Sequence, residues 1–276
     1  MRFTKMHGIG NDYVYVDCFT QTVPDPAGLA RRVSPRHTGI GADGLILICP
    51  SQVADCRMEM YNADGSRGEM CGNGIRCVGQ YVYDHALVPT HVLRVETDAG
   101  IKRLVLRIRA QRVDAVTVNM GEPILDGPRI PVAAEERVVD TPLAIDGETY
   151  RITCLSMGNP HCVTFVSDVD ALALAAIGPR FEHHPFFPQR VNTEFVQVLG
   201  RHELRMRVWE RGSGETAACG TGACAALVAG VLTEKAARRA TIHLNGGDLD
   251  IEWNESDNCV HMTGPAQEVF SGEIEA

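Results

Sequence analysis

Cys71-Gly72-Asn73-Gly74 and Cys219-Gly220-Thr221-Gly222 stand 148 positions apart, and so do the blocks around them. Gly10-Asn11 recurs at that distance as Gly158-Asn159, and Met58-Glu59-Met60-Tyr61 matches Met206-Arg207-Val208-Trp209. Asp98-Ala99-Gly100 lines up with Asn245-Gly246-Gly247 at an offset of 147, and Val118-Asn119-Met120 resembles Val260-His261-Met262 at 142. Blocks in the same order at a nearly constant offset mark an internal duplication. We expect an N-terminal repeat over 1–118 and a C-terminal repeat over 119–264, with 265–276 returning to the first repeat. Gly121-Glu122-Pro123 is the expected crossover.

Within each repeat the pattern is of short strands and one conspicuous helix. Tyr13-Val14-Tyr15-Val16, Leu45-Ile46-Leu47-Ile48 and Phe195-Val196-Gln197-Val198 are β-rich runs bounded by Gly, Asn or Asp. From Lys102 to Arg109, Leu104, Leu106 and Ile108 alternate with arginines, which describes a strand with one buried and one solvated face. The helices are expected just after the two Cys-Gly-x-Gly blocks. Ala223 to Leu232 is apolar on every side and Ile75 to Tyr83 nearly so. A helix apolar all round must be enclosed. In a strand-rich unit the available enclosure is a curled sheet. The predicted class is therefore α+β, with two pseudo-symmetric repeats, each a mostly antiparallel sheet or barrel around a central helix.

Composition narrows the function. The chain has 276 residues, is 45% hydrophobic and 22% charged, and carries a formal net charge of −9. These values exclude disordered and collagen-like classes, and the acidic balance argues against a nucleic-acid partner. No apolar run approaches the ~20 residues of a membrane span. Met1-Arg2-Phe3-Thr4-Lys5 leads into a turn and not into the apolar core of a signal peptide, so a cytoplasmic location is expected. Ten cysteines then read as reduced thiols. No C-x-x-C pair occurs, and no metal is expected.

The thiols carry the chemistry. Each Cys-Gly-x-Gly block places a sulfur at the start of a buried helix, where unpaired N–H groups and partial positive charge favour a thiolate or a bound carboxylate. Packed cysteines with glycines for close helix approach would give one such block, but two at equivalent positions point to use. If the repeats face one another, Cys71 and Cys219 flank one substrate carbon. Opposed acid/base groups suit stereoinversion: one thiolate removes a proton and the opposite thiol returns one to the other face. Asn11, Asn159 and Asn192 sit at strand ends where they either cap turns or bind an amino-acid head group. Glu210-Arg211 is either a solvated ion pair or a site for an ammonium and a carboxylate. His161 either packs or tunes a cysteine.

Taken together these blocks resemble the diaminopimelate epimerase family, cofactor-independent enzymes that interconvert LL- and meso-diaminopimelate. The resemblance runs from Lys5-Met6-His7-Gly8-Ile9-Gly10-Asn11-Asp12 through Tyr61-Asn62-Ala63-Asp64-Gly65-Ser66 and Met70-Cys71-Gly72-Asn73-Gly74-Ile75-Arg76-Cys77. It continues through Met157-Gly158-Asn159-Pro160-His161 and Glu210-Arg211-Gly212-Ser213-Gly214-Glu215-Thr216 to Ala218-Cys219-Gly220-Thr221-Gly222. The resemblance implies a pseudo-symmetric pair of barrels, with Cys71 and Cys219 as the acid/base pair. It implies substrate contacts at Asn11, Asn62, Asn159, Asn192, Glu210 and Arg211, and backbone contacts at Gly72, Asn73, Gly220 and Thr221. His161 and Glu210 would tune the thiols, no cofactor would be needed, and the protein would be a homodimer acting on a small diamino diacid in lysine and peptidoglycan precursor synthesis. One position departs from the family: Gly44 stands where many members carry a substrate-contacting Gln.

Competing functions differ in what they require. A proline or hydroxyproline racemase shares the two thiols, but Glu210-Arg211 and the asparagines favour a longer substrate with a second head group. A pyridoxal-phosphate racemase needs a Schiff-base lysine, and Lys5, Lys102 and Lys235, the only lysines, lie outside any phosphate-loop context. A non-catalytic amino-acid binding module would bind without exchanging the α-proton.

Overall fold

The computed structural model describes residues 1–275, which form two compact units. One runs from Met1 to Asn119 and includes the chain from Thr263 onward; the other is Met120–Met262. The first contains β1 (Arg2–Gly8), β2 (Asn11–Asp17), α1 (Pro26–Val33), β3 (Gly44–Cys49), β4 (Cys56–Asn62), β5 (Arg67–Gly68), α2 (Gly72–Asp84), β6 (Val92–Thr97), β7 (Gly100–Arg109) and β8 (Arg112–Asn119). The second contains β9 (Thr141–Ile145), β10 (Glu148–Ser156), β11 (Pro160–Phe165), α3 (Leu174–Glu182), β12 (Asn192–Gly200), β13 (Glu203–Glu210), β14 (Gly214–Thr216), α4 (Gly220–Leu232), β15 (Arg239–Leu244) and β16 (Gly247–Trp253). The chain ends with β17 (Val260–Gly264) and β18 (Gln267–Glu273).

The two units repeat one topology. Strands in the first run β1, β2, β3, β4, β6, β7, β8, antiparallel except for the parallel pairs β2–β3 and β4–β6. In the second they run β9, β10, β11, β12, β13, β15, β16, with parallel pairs at β11–β12 and β13–β15. Parallel neighbours require a crossover, and each is supplied by a helix: α1 and α2 in the first unit, α3 and α4 in the second. β9 pairs with β10 through a tight turn at Asp146 and Gly147, both with positive φ. In the first unit the same flank, beside β1, is taken by β18 from the far end of the chain.

α2 packs on β1, β2, β7, β8 and β18, and α4 on β10 through β13, β15 and β16. Both helices are enclosed by a curled mixed sheet, as their apolar sequences require. Ile75, Cys77, Val78 and Val82 are fully buried, as is every residue from Ala223 to Ala229. Burial of each large aliphatic side chain contributes about 1.5–3 kcal/mol. On β7, Leu104 and Leu106 point inward between exposed Arg103, Val105 and Arg107.

Two details differ from the sequence expectation. The central helices start at Gly72 and Gly220, immediately after the cysteines and not after the whole blocks, so the glycines lie inside the first turn. Each unit also has a second, shorter helix. α1 begins with an Asp25 side chain accepting from the Gly28 N–H at 2.9 Å and Pro26 in its first turn, which is a regular start signal.

Candidate active site

Cys71 caps the start of α2 with extended backbone, and its sulfur accepts from the Gly74 N–H at 3.3 Å. Its thiol donates to Asn11 Oδ1 at 3.2 Å. Asn11 is held in turn: its amide donates to Asp43 Oδ2 at 2.7 Å. Asp43 also accepts from the Asp12 N–H and from Arg36, while Asp12 pairs with Lys5 at 2.5 Å and Arg36 at 2.8 Å. An ionic cluster thus fixes the amide that faces the thiol. Burial opposes ionisation of Asp12, but hydrogen bonds and charge from Arg36 and Lys5 outweigh it and hold its carboxyl at about 2.

Desolvation pushes the Cys71 thiol above its ordinary range, against bonds from the Gly74 N–H, the Tyr13 hydroxyl and the Asn73 N–H and the charge of Arg76. Arg76 is fully buried, donating to Gly72 O, Asn73 Oδ1 and Pro265 O. It therefore orders the Gly72-Asn73 turn from within. Asn62 turns to Ser66, donating to its Oγ at 2.9 Å. Gly44 pairs with Asn62 across β3 and β4. A Cβ added at Gly44 would lie 2.2 Å from Tyr61 O and 3.0 Å from the Tyr13 ring, so no side chain fits there.

In the second unit Cys219 caps α4 with nearly the same backbone angles. Its sulfur lies 3.5 Å from Thr221 Oγ1. Thr221 accepts from Asn159 Nδ2 at 3.3 Å, Asn159 Oδ1 lies 2.9 Å from His161 Nε2, and His161 Nδ1 lies 2.7 Å from Glu194 Oε1. His161 and Glu194 are wholly inaccessible. Burial drives the Cys219 thiol well up; Glu210 and Glu194 push the same way, and Thr221 and the Gly222 N–H oppose them.

Asn192 is buried at the start of β12, donating to Pro160 O at 2.8 Å and accepting from the Arg211 N–H at 3.0 Å. Glu210 accepts from the Thr216 hydroxyl, and exposed Arg211 reaches Gln189 O at 3.2 Å. Glu182, at the end of α3, accepts from Trp209 Nε1 at 2.7 Å and from the Gly212 N–H at 2.9 Å. It thereby anchors the turn that carries Glu210 and Arg211.

Cys71 and Asn11 thus form one bonded group, and Cys219, Thr221, Asn159 and His161 another; Asn62, Asn192 and Arg211 engage other partners. Sequence inspection missed Tyr13, Asp43, Arg76, Glu182 and Glu194. Tyr13 and Glu194 were within reach of the repeat itself, because Tyr13 stands 148 positions before His161 and Ile46 the same distance before Glu194. Exchanging an apolar residue for a carboxyl at an equivalent core position is a visible signal.

Comparison with known proteins identifies the family. A sequence model of the family described as diaminopimelate epimerase matches residues 3–125 and 153–269. The diaminopimelate epimerase of Acetivibrio thermocellus is 58% identical over 276 residues, covering 100% of this chain and 99% of that protein. Among solved structures, a phenazine biosynthesis protein of the PhzF family from Bacillus anthracis superposes with a TM-score of 0.72 at 15% identity, covering 100% of this chain and 99% of that one. A probable proline racemase from Agrobacterium radiobacter K84 gives 0.71 at 16% identity, covering 99% and 92%. The two structures share the fold, and the sequence matches go further: the chain belongs to the diaminopimelate epimerase family.

Proposed function

We propose that this protein interconverts LL- and meso-diaminopimelate without a cofactor, using Cys71 and Cys219 on opposite faces of one α-carbon. The observation that carries the reading is a pair of cysteines at the N-cap positions of equivalent buried helices, Cys71 Sγ lying 3.2 Å from Asn11 Oδ1 and Cys219 Sγ 3.5 Å from Thr221 Oγ1. One thiolate removes the α-proton, the other thiol delivers a proton to the opposite face, and the pair exchanges roles in the reverse direction. The N–H groups of the Gly72-Asn73 and Gly220-Thr221 turns lie at helix starts, where charge developing on the substrate carboxylate is favoured. Asn11 and Asn159 would hold the head group at the reacting centre, with Asn62, Asn192, Glu210 and Arg211 serving the substrate more widely. His161 and Glu210 tune the second thiol. The setting is lysine and peptidoglycan precursor synthesis in the cytoplasm, with the protein as a homodimer.

The test uses protein freed of metal and pyridoxal phosphate, incubated with LL-diaminopimelate in deuterated water while stereoisomers and α-deuterium are followed together. The expected result is meso product carrying deuterium at the inverted centre. Binding without exchange would instead identify a binding module. Inversion of proline but not of diaminopimelate would assign the related racemase activity.

A further inference from the structure

The repeats diverge behind their thiols. In the first unit the neighbour of Cys71 is the Tyr13 hydroxyl, and Ile46 fills the core beneath Gly74. At the equivalent places the second unit has His161 and Glu194. A Cβ added at Gly222 would lie 2.7 Å from Glu194 Oε1 and 3.3 Å from Cys219 Sγ, so glycine lets a carboxyl and a thiol approach the same point of the first helical turn.

The hydrogen bonds fix where the protons lie. Asn159 donates its amide to Thr221, which turns Oδ1 toward His161 Nε2; that nitrogen must carry hydrogen and donate. One further proton is then shared between His161 Nδ1 and Glu194 Oε1. Glu194 Oε2 is buried with no hydrogen-bond partner among the described residues. A lone buried carboxylate is costly, so the imidazole is what makes this carboxyl tolerable. At the other end, Thr221 Oγ1 accepts from Asn159 and lies 3.5 Å from Cys219 Sγ, so its hydroxyl is the donor to that sulfur once Cys219 is a thiolate.

We propose that Glu194 is a positioning residue for Cys219: through His161, Asn159 and Thr221 it fixes the donor aimed at the sulfur, and its carboxyl disfavours negative charge on that sulfur at rest. The proposal rests on Cys219 being one of the two acid/base groups. It makes the sites inequivalent by construction, since Cys71 has Arg76 nearby and Cys219 has Glu194. The charged or titratable groups facing Cys219 are Glu194 on β12 and Glu210 on β13, with His161 on β11 behind Glu194; α4 carries no charged residue.

The test needs no substrate. Iodoacetamide alkylation of Cys71 and Cys219 is measured peptide by peptide across the pH range in which thiols titrate, in wild type, Glu194→Gln and Thr221→Val, with circular dichroism as the folding control. Glu194→Gln keeps the shape and removes the carboxylate, so Cys219 should alkylate about threefold faster or more near neutral pH, a shift of about half a pKa unit, while Cys71 is unmoved. Thr221→Val removes the hydroxyl donor and should slow Cys219. A merely structural role would not give opposite signs at one sulfur. Cys219 unchanged in Glu194→Gln, or Cys71 shifted equally, overturns the proposal. Should Glu194→Gln fail to fold, Thr221→Val decides, and an unchanged Cys219 profile overturns it. Epimerisation by the same wild-type sample is assayed in parallel. Its absence would remove the proposed function, whereas the alkylation profiles report on Glu194 alone.

Discussion

Asp12 is the residue on which the Asn11 cluster turns. Its carboxyl is held at about 2 in the folded protein against an ordinary 3.8. A folded-state value below the unfolded one stabilises the fold above the unfolded pKa, and the contribution is lost as pH falls through the window from near 4 to near 2. Asp12→Asn should therefore cost about 2 kcal/mol at neutral pH and progressively less below pH ~4, measured by urea unfolding at several pH values. Gly44 gives a steric counterpart. Placing there the glutamine that the family resemblance leads one to expect, Gly44→Gln, drives a Cβ into the Tyr61 carbonyl and should cost about 1–3 kcal/mol. Thermal unfolding checks it; an unchanged melting temperature would show that β3 and β4 part easily. This glycine was legible as a departure, but its reason was not, because the obstructing oxygen comes from the neighbouring strand. Asp43 and Glu194 escaped notice on the same ground: each acts through a partner distant in sequence. The cysteines and Asn159-Pro160-His161 stood out because short motifs carry them whole.

At the scale of elements, the two central helices were readable because one is apolar on every side and the other nearly so, and β7 because its leucines alternate with arginines. α1 and α3 were not. Each has only 8 or 9 residues, and α3 contains Pro179 and lacks a side-chain cap. α3 nevertheless reaches the site, since Glu182 ties its end to Trp209 and Gly212. Glu182→Ala would free the Glu210-Arg211 turn and leave the Gly212 N–H without this acceptor. We expect KM for diaminopimelate to rise several-fold with a smaller change in kcat, and stability to fall by about 1–3 kcal/mol. Steady-state kinetics over substrate concentrations spanning KM separates the two effects; a pure loss of kcat would contradict this anchoring role.

For the whole molecule, the nearly constant offset, 148 falling to 142, together with the strand and helix patterns recovered a duplicated α+β fold, and the topology repeats strand for strand. It did not show where parallel pairs lie, since periodicity records which face is buried and not which neighbour a strand takes. β18 completes the first unit's sheet beside β1. A chain ending at Gly264 would expose the Arg2–Gly8 edge and the core beneath it, and should aggregate or melt well below the full chain; equal melting temperatures would make β18 dispensable. The central claim is that each repeat supplies one thiol for one face of the α-carbon. The measurement that tests it most directly is α-hydrogen exchange by Cys71→Ala and Cys219→Ala in deuterated water, starting separately from LL- and meso-diaminopimelate. Each variant should lose inversion yet retain slow deuterium incorporation with retention, the two favouring opposite α-configurations, because the remaining thiolate still reaches its own face. Inversion at a rate near wild type in either variant would contradict the account.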